Sequence, residues 1–253
     1  IADPPGALAV ALVHPDQIPQ VLALGALLRA AGLRQPLVLY GALEDVLSPL
    51  DLAEDLVGDP PHLLFQTFDA VILGEGEAPL LALAAVAAGA RTLDQAPLLR
   101  PGGRIPEVPA LDLVAHPGPD FAGLDPAPLT PTPVVDLRLG RGCPWARCTF
   151  CAIQAHQEGY RAGTAAAVAD AMSRAHGQLG SVFFRVRDDL LTPRQLVEVG
   201  AAVSALPFEA RWCARARLET TLTRTALKEA AMGGLDELWL GLESASERVR
   251  ARM

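Results

Sequence analysis

No apolar run in this sequence reaches the roughly 18 residues of a membrane-spanning helix. No charged segment followed by an apolar stretch opens the chain as a secretion signal would. Positive charge is scarce: 21 Lys and Arg against 29 Asp and Glu leave a net charge of −8. With a pI near 5.1, that balance argues against an electrostatic nucleic-acid footprint. Aromatic residues are only 5%, while alanine and leucine dominate a 51% hydrophobic composition with mean hydropathy +0.27. A large core therefore has to be packed from aliphatic side chains, as in helix-rich α/β folds. Cysteine is also sparse at four residues, and three of the four are crowded together, so a disulfide framework fits poorly. A reducing, cytoplasmic setting without nucleic-acid or membrane partners is the expectation. The 253 residues suffice for one large or two modest domains. Both ends read as cuts: the chain starts Ile1-Ala-Asp and stops at Met253 inside a helical pattern without a C-cap signal.

Ala7 to Val13 is a continuous apolar run, as a buried parallel strand requires. Asp16 is suited to cap the next helix, in which Ile18, Val21, Leu22 and Leu28 recur at helical spacing, and Gly32 is suited to close it. Pro36 to Tyr40 and Phe68 to Leu73 read as further strands. Gly74-Glu-Gly-Glu77 follows the last of these and precedes a helix from Pro79 to Ala88. Strands alternating with helices predict a doubly wound parallel sheet over residues 1–98. The Gly-Glu-Gly-Glu turn serves equally well as an acidic helix start or as a ligand loop. His14, His62, His116 and His176 are isolated, and none is assigned a role.

Residues 99–133 hold nine of the 22 prolines and no periodicity, which predicts an extended linker. From 134 to 253 the alternation resumes. Strands are expected at Val134 to Leu139, Ser181 to Val186, Glu209 to Arg217 and Glu237 to Leu242. Helices are expected from about Thr164, from Thr192-Pro193 and from Leu222, the last stopped by Gly233-Gly234. Four consecutive β/α units suggest part of a (β/α) barrel, whose ligands gather at the strand C-termini. That rule selects Asp188 and Asp189, Arg215 and Arg217, and Glu243 and Ser244. Each has a plainer reading: the acids can serve a turn or a helix N-terminus, and the arginines can pair with Glu219. Cys213 reads as a small buried strand residue.

Arg141-Gly-Cys-Pro-Trp-Ala-Arg-Cys-Thr-Phe-Cys151 carries the remaining cysteines as C-x4-C-x2-C. Three clustered thiolates can hold three irons of a four-iron cluster and leave the fourth open to an outside ligand. Gly140 and Gly142 let backbone bend around such a body, and Phe150 can offer it a flat apolar face. A Cys3His zinc site using His156 stays open as an alternative. So does a degenerate nucleotide-binding module without turnover.

At these residues the chain resembles the radical S-adenosylmethionine (radical SAM) enzymes, in particular the branch with a cobalamin-binding domain ahead of the radical barrel. The common spacing there is C-x3-C-x2-C; here one residue is added, as in some members of that branch. The Gly-Cys-Pro-Trp opening, the Cys-Thr-Phe-Cys close and the run Gly241-Leu-Glu-Ser-Ala-Ser-Glu-Arg-Val249 carry the likeness. Residues 1–98 are similar to the later half of a cobalamin-binding domain. Ala11 stands where that family usually has serine, and Tyr40-Gly41-Ala42 where it has two glycines; its axial-histidine motif does not occur here.

The resemblance implies a partial Rossmann-like domain of cobalamin-binding type followed by a partial radical SAM barrel. It implies a [4Fe-4S] cluster on Cys143, Cys148 and Cys151. S-adenosylmethionine would be held by Phe150, Asp188, Arg217, Glu243 and Ser244, with Glu243 on the ribose. The implied activity is cleavage of S-adenosylmethionine to a 5′-deoxyadenosyl radical that modifies a small-molecule or peptide substrate. An electron donor such as flavodoxin or ferredoxin would feed it. Cobalamin binding, and with it a C-methyltransferase activity, is left open.

Overall fold

The computed structural model describes residues 6–41, 63–101, 106–116, 118–125, 132–151 and 159–253. The chain divides into two compact units, Ile1–Leu111 and Asp112–Met253. The division falls inside the proline-rich stretch. Among the described residues no helix is long and apolar enough to cross a membrane.

In the first unit, strands β1 (Leu8–Leu12), β2 (Leu37–Gly41) and β3 (Ala70–Val71) form a parallel sheet in that order. Helices α1 (Ile18–Ala30) and α2 (Glu77–Ala87) alternate with them. The two-residue period of β2 divides the core between the faces. Leu37 and Leu39 pack with Val10, Leu12 and Val21 of α1, whereas Val38 packs with Ala70, Ile72 and Ala82 and Leu83 of α2. A helix on each face is the doubly wound arrangement expected.

Two local expectations are corrected. Asp16 does not cap α1: it lies in a single 3-10 turn, Pro15–Gln17, and the cap position falls to Gln17, without a side-chain cap bond. Pro19, in the first helical turn, lacks one of the N–H groups that a cap would serve. Gln17 instead accepts from the N–H groups of Val13 (2.8 Å) and His14 (3.0 Å). The third strand is two residues rather than six, although Asp69 and Ile72 still donate to Leu37 and Leu39 across the ladder. Leu99 exchanges both backbone bonds with Val71 and so belongs to this unit's sheet.

In the second unit, β4 (Val134–Leu137), β7 (Phe183–Val186), β8 (Arg211–Arg217) and β9 (Leu235–Gly241) form a parallel sheet in that order. Each strand is followed by a helix: α3 (Ala165–Leu179), α4 (Pro193–Ser204), α5 (Arg224–Met232) and the short α6 (Glu247–Arg250). Thr164, Thr192 and Thr223 cap the first three, each hydroxyl accepting from the N–H three residues on. Trp212, Ala214 and Ala216 of β8 join the core under the helices, and Arg211, Cys213, Arg215 and Arg217 alternate with them on the other face. The first strand ends two residues earlier than expected. Gly140–Arg141 (β5) leaves the sheet and pairs antiparallel with Arg161–Ala162 (β6).

Helices α4 and α5 touch through a glycine. A Cβ on Gly200 would lie 2.9 Å from the Ala230 Cα, with no flexible side chain to yield. Gly200→Val is expected to lower the stability of this unit by about 1–3 kcal/mol, read as a shift of the urea midpoint at unchanged slope.

Candidate cofactor site at the cysteine loop

Leu139 follows β4 by two residues, and the chain then turns through Gly140 and Arg141 into the cysteine loop. It returns through Tyr160 to the partner strand β6. The base of the loop is closed by the Gly140–Ala162 and Arg141–Arg161 pairs and by Gly163 N–H donating to Leu139 O at 2.7 Å. Inside the loop Cys143, Cys148 and Cys151 are half-buried and outside any disulfide, and Cys151 N–H donates to Cys148 O at 3.2 Å. Among the described residues no three His, Cys, Asp or Glu side chains are close enough to share a single ion. Sulfurs that each bind a different iron of a cluster need not converge in that way. His156, the fourth ligand of the zinc alternative, lies outside the described residues.

Residues far apart in sequence act electrostatically on Cys148. Its thiol is pushed above the usual range, first by burial, then by the neighbouring Cys151 and Cys143, and further by Glu243; Arg217 pulls it the other way. Thus three cysteines, the last residue of β8 and the acid after β9 share one electrostatic neighbourhood. The Trp145 ring ties the loop to β8: the Arg217 guanidinium stands 3.4 Å from its centroid, and Arg147 stands at 5.1 Å. Such contacts contribute about 0.5–2 kcal/mol, depending on how far they are desolvated. Arg217 reaches Glu219 only at 3.9 Å. Thr149 adds a second tie, its N–H donating to Met253 O (2.9 Å) and its hydroxyl to Arg252 O (3.0 Å).

Backbone strain concentrates here. Among the described residues only two non-glycines have positive φ, Ala146 (42°) and Glu243 (57°). Ala146 lies in the spacer between Cys143 and Cys148, and Glu243 is the candidate ribose ligand. A left-handed non-glycine residue costs on the order of 1–3 kcal/mol, and such strain clusters at functional sites.

The other sequence candidates fall as follows. Phe150 is exposed at the loop surface. Ser244 spends its hydroxyl accepting from Ser246 N–H at 3.1 Å. Arg215 stacks over Trp239 at 5.3 Å. Cys213 is half-buried on the helix-free face of β8, its thiol raised chiefly by burial. Asp188 is 2% exposed, and its carboxylate faces protein backbone, accepting from Leu139 N–H at 2.8 Å and Gly140 N–H at 2.6 Å. Asp189 has one carboxylate oxygen, Oδ2, buried without a protein hydrogen-bond partner. Trp145, Arg147 and Tyr160 were not singled out as candidates from the sequence. Trp145 sat in a quoted motif, but only the fold shows what its ring touches.

No family model and no curated protein matches this chain. Solved structures do match, and the class of fold they share with it is α/β with parallel sheets. Among them are structures of the cobalamin-dependent S-adenosylmethionine radical enzyme OxsB. Its apo, selenomethionine form aligns with TM-score 0.62 at 15% identity over 97% of this chain and 36% of that one. The form with aqua-cobalamin and S-adenosylmethionine aligns at 0.61 and 15%, over 98% and 37%. The form with aqua-cobalamin alone aligns at 0.58 and 17%, over 97% and 36%. The chain therefore spans little more than a third of the solved structures it matches. At this identity the likeness establishes the fold.

Burial pushes the Asp188 carboxyl up to about 6, outweighing the two backbone N–H groups and Arg138, which lower it. The folded chain thus holds this proton to a higher pH than the unfolded chain, whose carboxyl titrates near 3.9. The stability that Asp188 contributes is full below about pH 4 and is lost as the pH rises through about 6, by on the order of 2–3 kcal/mol. Urea unfolding between about pH 4 and 7 is expected to show this fall in the wild type. In Asp188→Asn the component is removed and the pH slope changes accordingly.

Proposed function

We propose that this chain is part of a radical SAM enzyme: a cobalamin-type domain followed by the N-terminal part of the radical barrel. The observation that carries the reading is the electrostatic neighbourhood that Cys148 shares with Cys143, Cys151, Arg217 and Glu243. The donor set fits a [4Fe-4S] cluster: three thiols on one strained loop, no disulfide among them, and a basic residue in their electrostatic neighbourhood to offset thiolate charge. Cys143, Cys148 and Cys151 would each hold one iron and leave the fourth to the amino and carboxylate groups of S-adenosylmethionine. When bound, the reduced cluster supplies the electron that cleaves the sulfonium to methionine and a 5′-deoxyadenosyl radical.

The protein's share of the work is binding and orientation. The Glu243 carboxylate, held in a left-handed turn beyond β9, accepts from the two adjacent ribose hydroxyls. Arg217, braced on Trp145, offers positive charge to the methionine carboxylate. Phe150 presents an apolar face beside the cluster. Asp188 and Ser244 act from the backbone around the ligand, since both side chains already accept main-chain N–H groups. The substrate is a small molecule or a peptide, and a flavodoxin or ferredoxin delivers the electron. The doubly wound first unit is the part suited to cobalamin, and methyl transfer to the substrate is then the reaction favoured.

Anaerobic reconstitution with iron and sulfide, followed by an assay for 5′-deoxyadenosine, tests the reading directly. Protein that takes up zinc, or iron without sulfide, would overturn it. Cys148→Ala is expected to abolish the cluster's visible absorbance. Glu243→Ala should keep that absorbance while weakening S-adenosylmethionine binding roughly tenfold, the value of a hydrogen bond to a charged group. Undiminished binding by the Glu243 variant would refute its assignment to the ribose.

A further inference from the structure

The cysteine loop stands on a neck too small to hold itself. Among the described residues its only strand pairing, β5 with β6, is two residues long on each side, and an isolated two-stranded ribbon is marginal in water even when longer. Two polar side chains support the neck, one at the end of β7 and one presented by α4. Both Asp188 oxygens are engaged, Oδ2 by Leu139 N–H and Oδ1 by Gly140 N–H, so one buried carboxylate fixes two consecutive amides. Hydrogen bonds of this charge-assisted kind are about twice as strong as neutral ones. On the other strand, Tyr160 precedes β6 and its hydroxyl accepts from the Gln195 amide. Gln195 is itself fixed: its carbonyl accepts from Thr192 N–H (2.9 Å) and from the Thr192 hydroxyl (2.8 Å) at the start of α4.

Gly140 shows how closely these parts meet. A Cβ there would lie 2.7 Å from Arg161 O, 3.2 Å from Asp188 Oδ1 and 3.3 Å from the Tyr160 ring. The neck is walled by the opposite strand, the carboxylate and the phenol, and only glycine fits between them. Cys143 begins three residues beyond this point, so small shifts in the neck displace the first cysteine.

We infer that Asp188 and Tyr160 are positioning residues that clamp the neck of the cysteine loop, so that the β7–α4 segment sets the placement of Cys143, Cys148 and Cys151. The assignment of a cluster to those cysteines rests on the function proposed above; the clamp rests on the contacts just described. Asp188→Asn leaves one acceptor and turns an NH2 group toward an amide N–H. Tyr160→Phe removes the acceptor of the Gln195 bond and leaves the ring.

The test has two readouts on the whole chain. The first is the alkylation rate of each thiol by iodoacetamide in metal-free protein, resolved by mass spectrometry. In both variants Cys143, Cys148 and Cys151 are expected to react several-fold faster, while Cys213, outside the loop, keeps its rate. The second is iron and sulfide retained after anaerobic reconstitution and challenge with a chelator. Loss of a residue that orients ligands lowers metal affinity on the order of tenfold, and a changed electron paramagnetic resonance signal of the reduced cluster is expected with it. Gly200→Val serves as the control for general loosening, because it perturbs the α4–α5 contact and not the neck. Wild-type alkylation rates in both variants would overturn the clamp. So would equal acceleration of Cys213 and the loop thiols, which marks global loosening. A wild-type chain that takes up no iron and sulfide would defeat the proposed function, while the alkylation rates would still decide the clamp.

Discussion

Strands β4, β7, β8 and β9 of the second unit run parallel, and a parallel sheet delivers every strand C-terminus to the same edge. The candidate site depends on that constraint. Arg217 closes β8, Glu243 follows β9 by two residues, and the cysteine loop follows β4. Between Cys143 and Glu243 lie a hundred residues of sequence, and the register of four strands removes that separation. The helices contribute by burying one face through Trp212, Ala214 and Ala216, which leaves the arginine-bearing face of β8 uncovered by them.

A parallel edge brings chain segments near one another but does not fix a loop. That falls to polar groups with fixed geometry. Asp188 gives up exposure and a normal pKa to bond two main-chain amides, an arrangement that desolvation alone would disfavour. Trp145 and Arg217 make a second attachment through a ring face and a planar cation. The left-handed Ala146, next to Trp145, is the local conformational cost of spanning C-x4-C within the loop. Strain is tolerated where the surroundings over-determine the backbone, and here it falls within the candidate site.

Much of this was legible in the residues. Each expected strand and helix of the second unit is found to within a few residues, and Thr164 and Thr192 cap the helices that their positions suggest. The first unit alternates as its apolar runs require. The failures have local causes. Asp16 looked like a cap because its residue type favours caps, but a 3-10 turn and Pro19 moved the boundary. The expected strand from Phe68 is too long because burial extends to Phe68 and Ile72, on either side of the regular pairing. The β5–β6 neck was invisible, since two-residue ribbons carry no periodicity.

By itself the sequence determined the alternation of strands and helices and the three-cysteine spacing, because both are written in neighbouring residues: apolar periodicity in the one, ligand chemistry in the other. Tertiary structure alone decided that Asp188 faces the backbone, that Trp145 meets Arg217, and that Glu243 lies within electrostatic reach of Cys148. Those facts depend on which strands lie side by side and in what register. A carboxylate reads the same in a sequence whether it meets a ligand or two amide protons, and only the fold brings one of them to it.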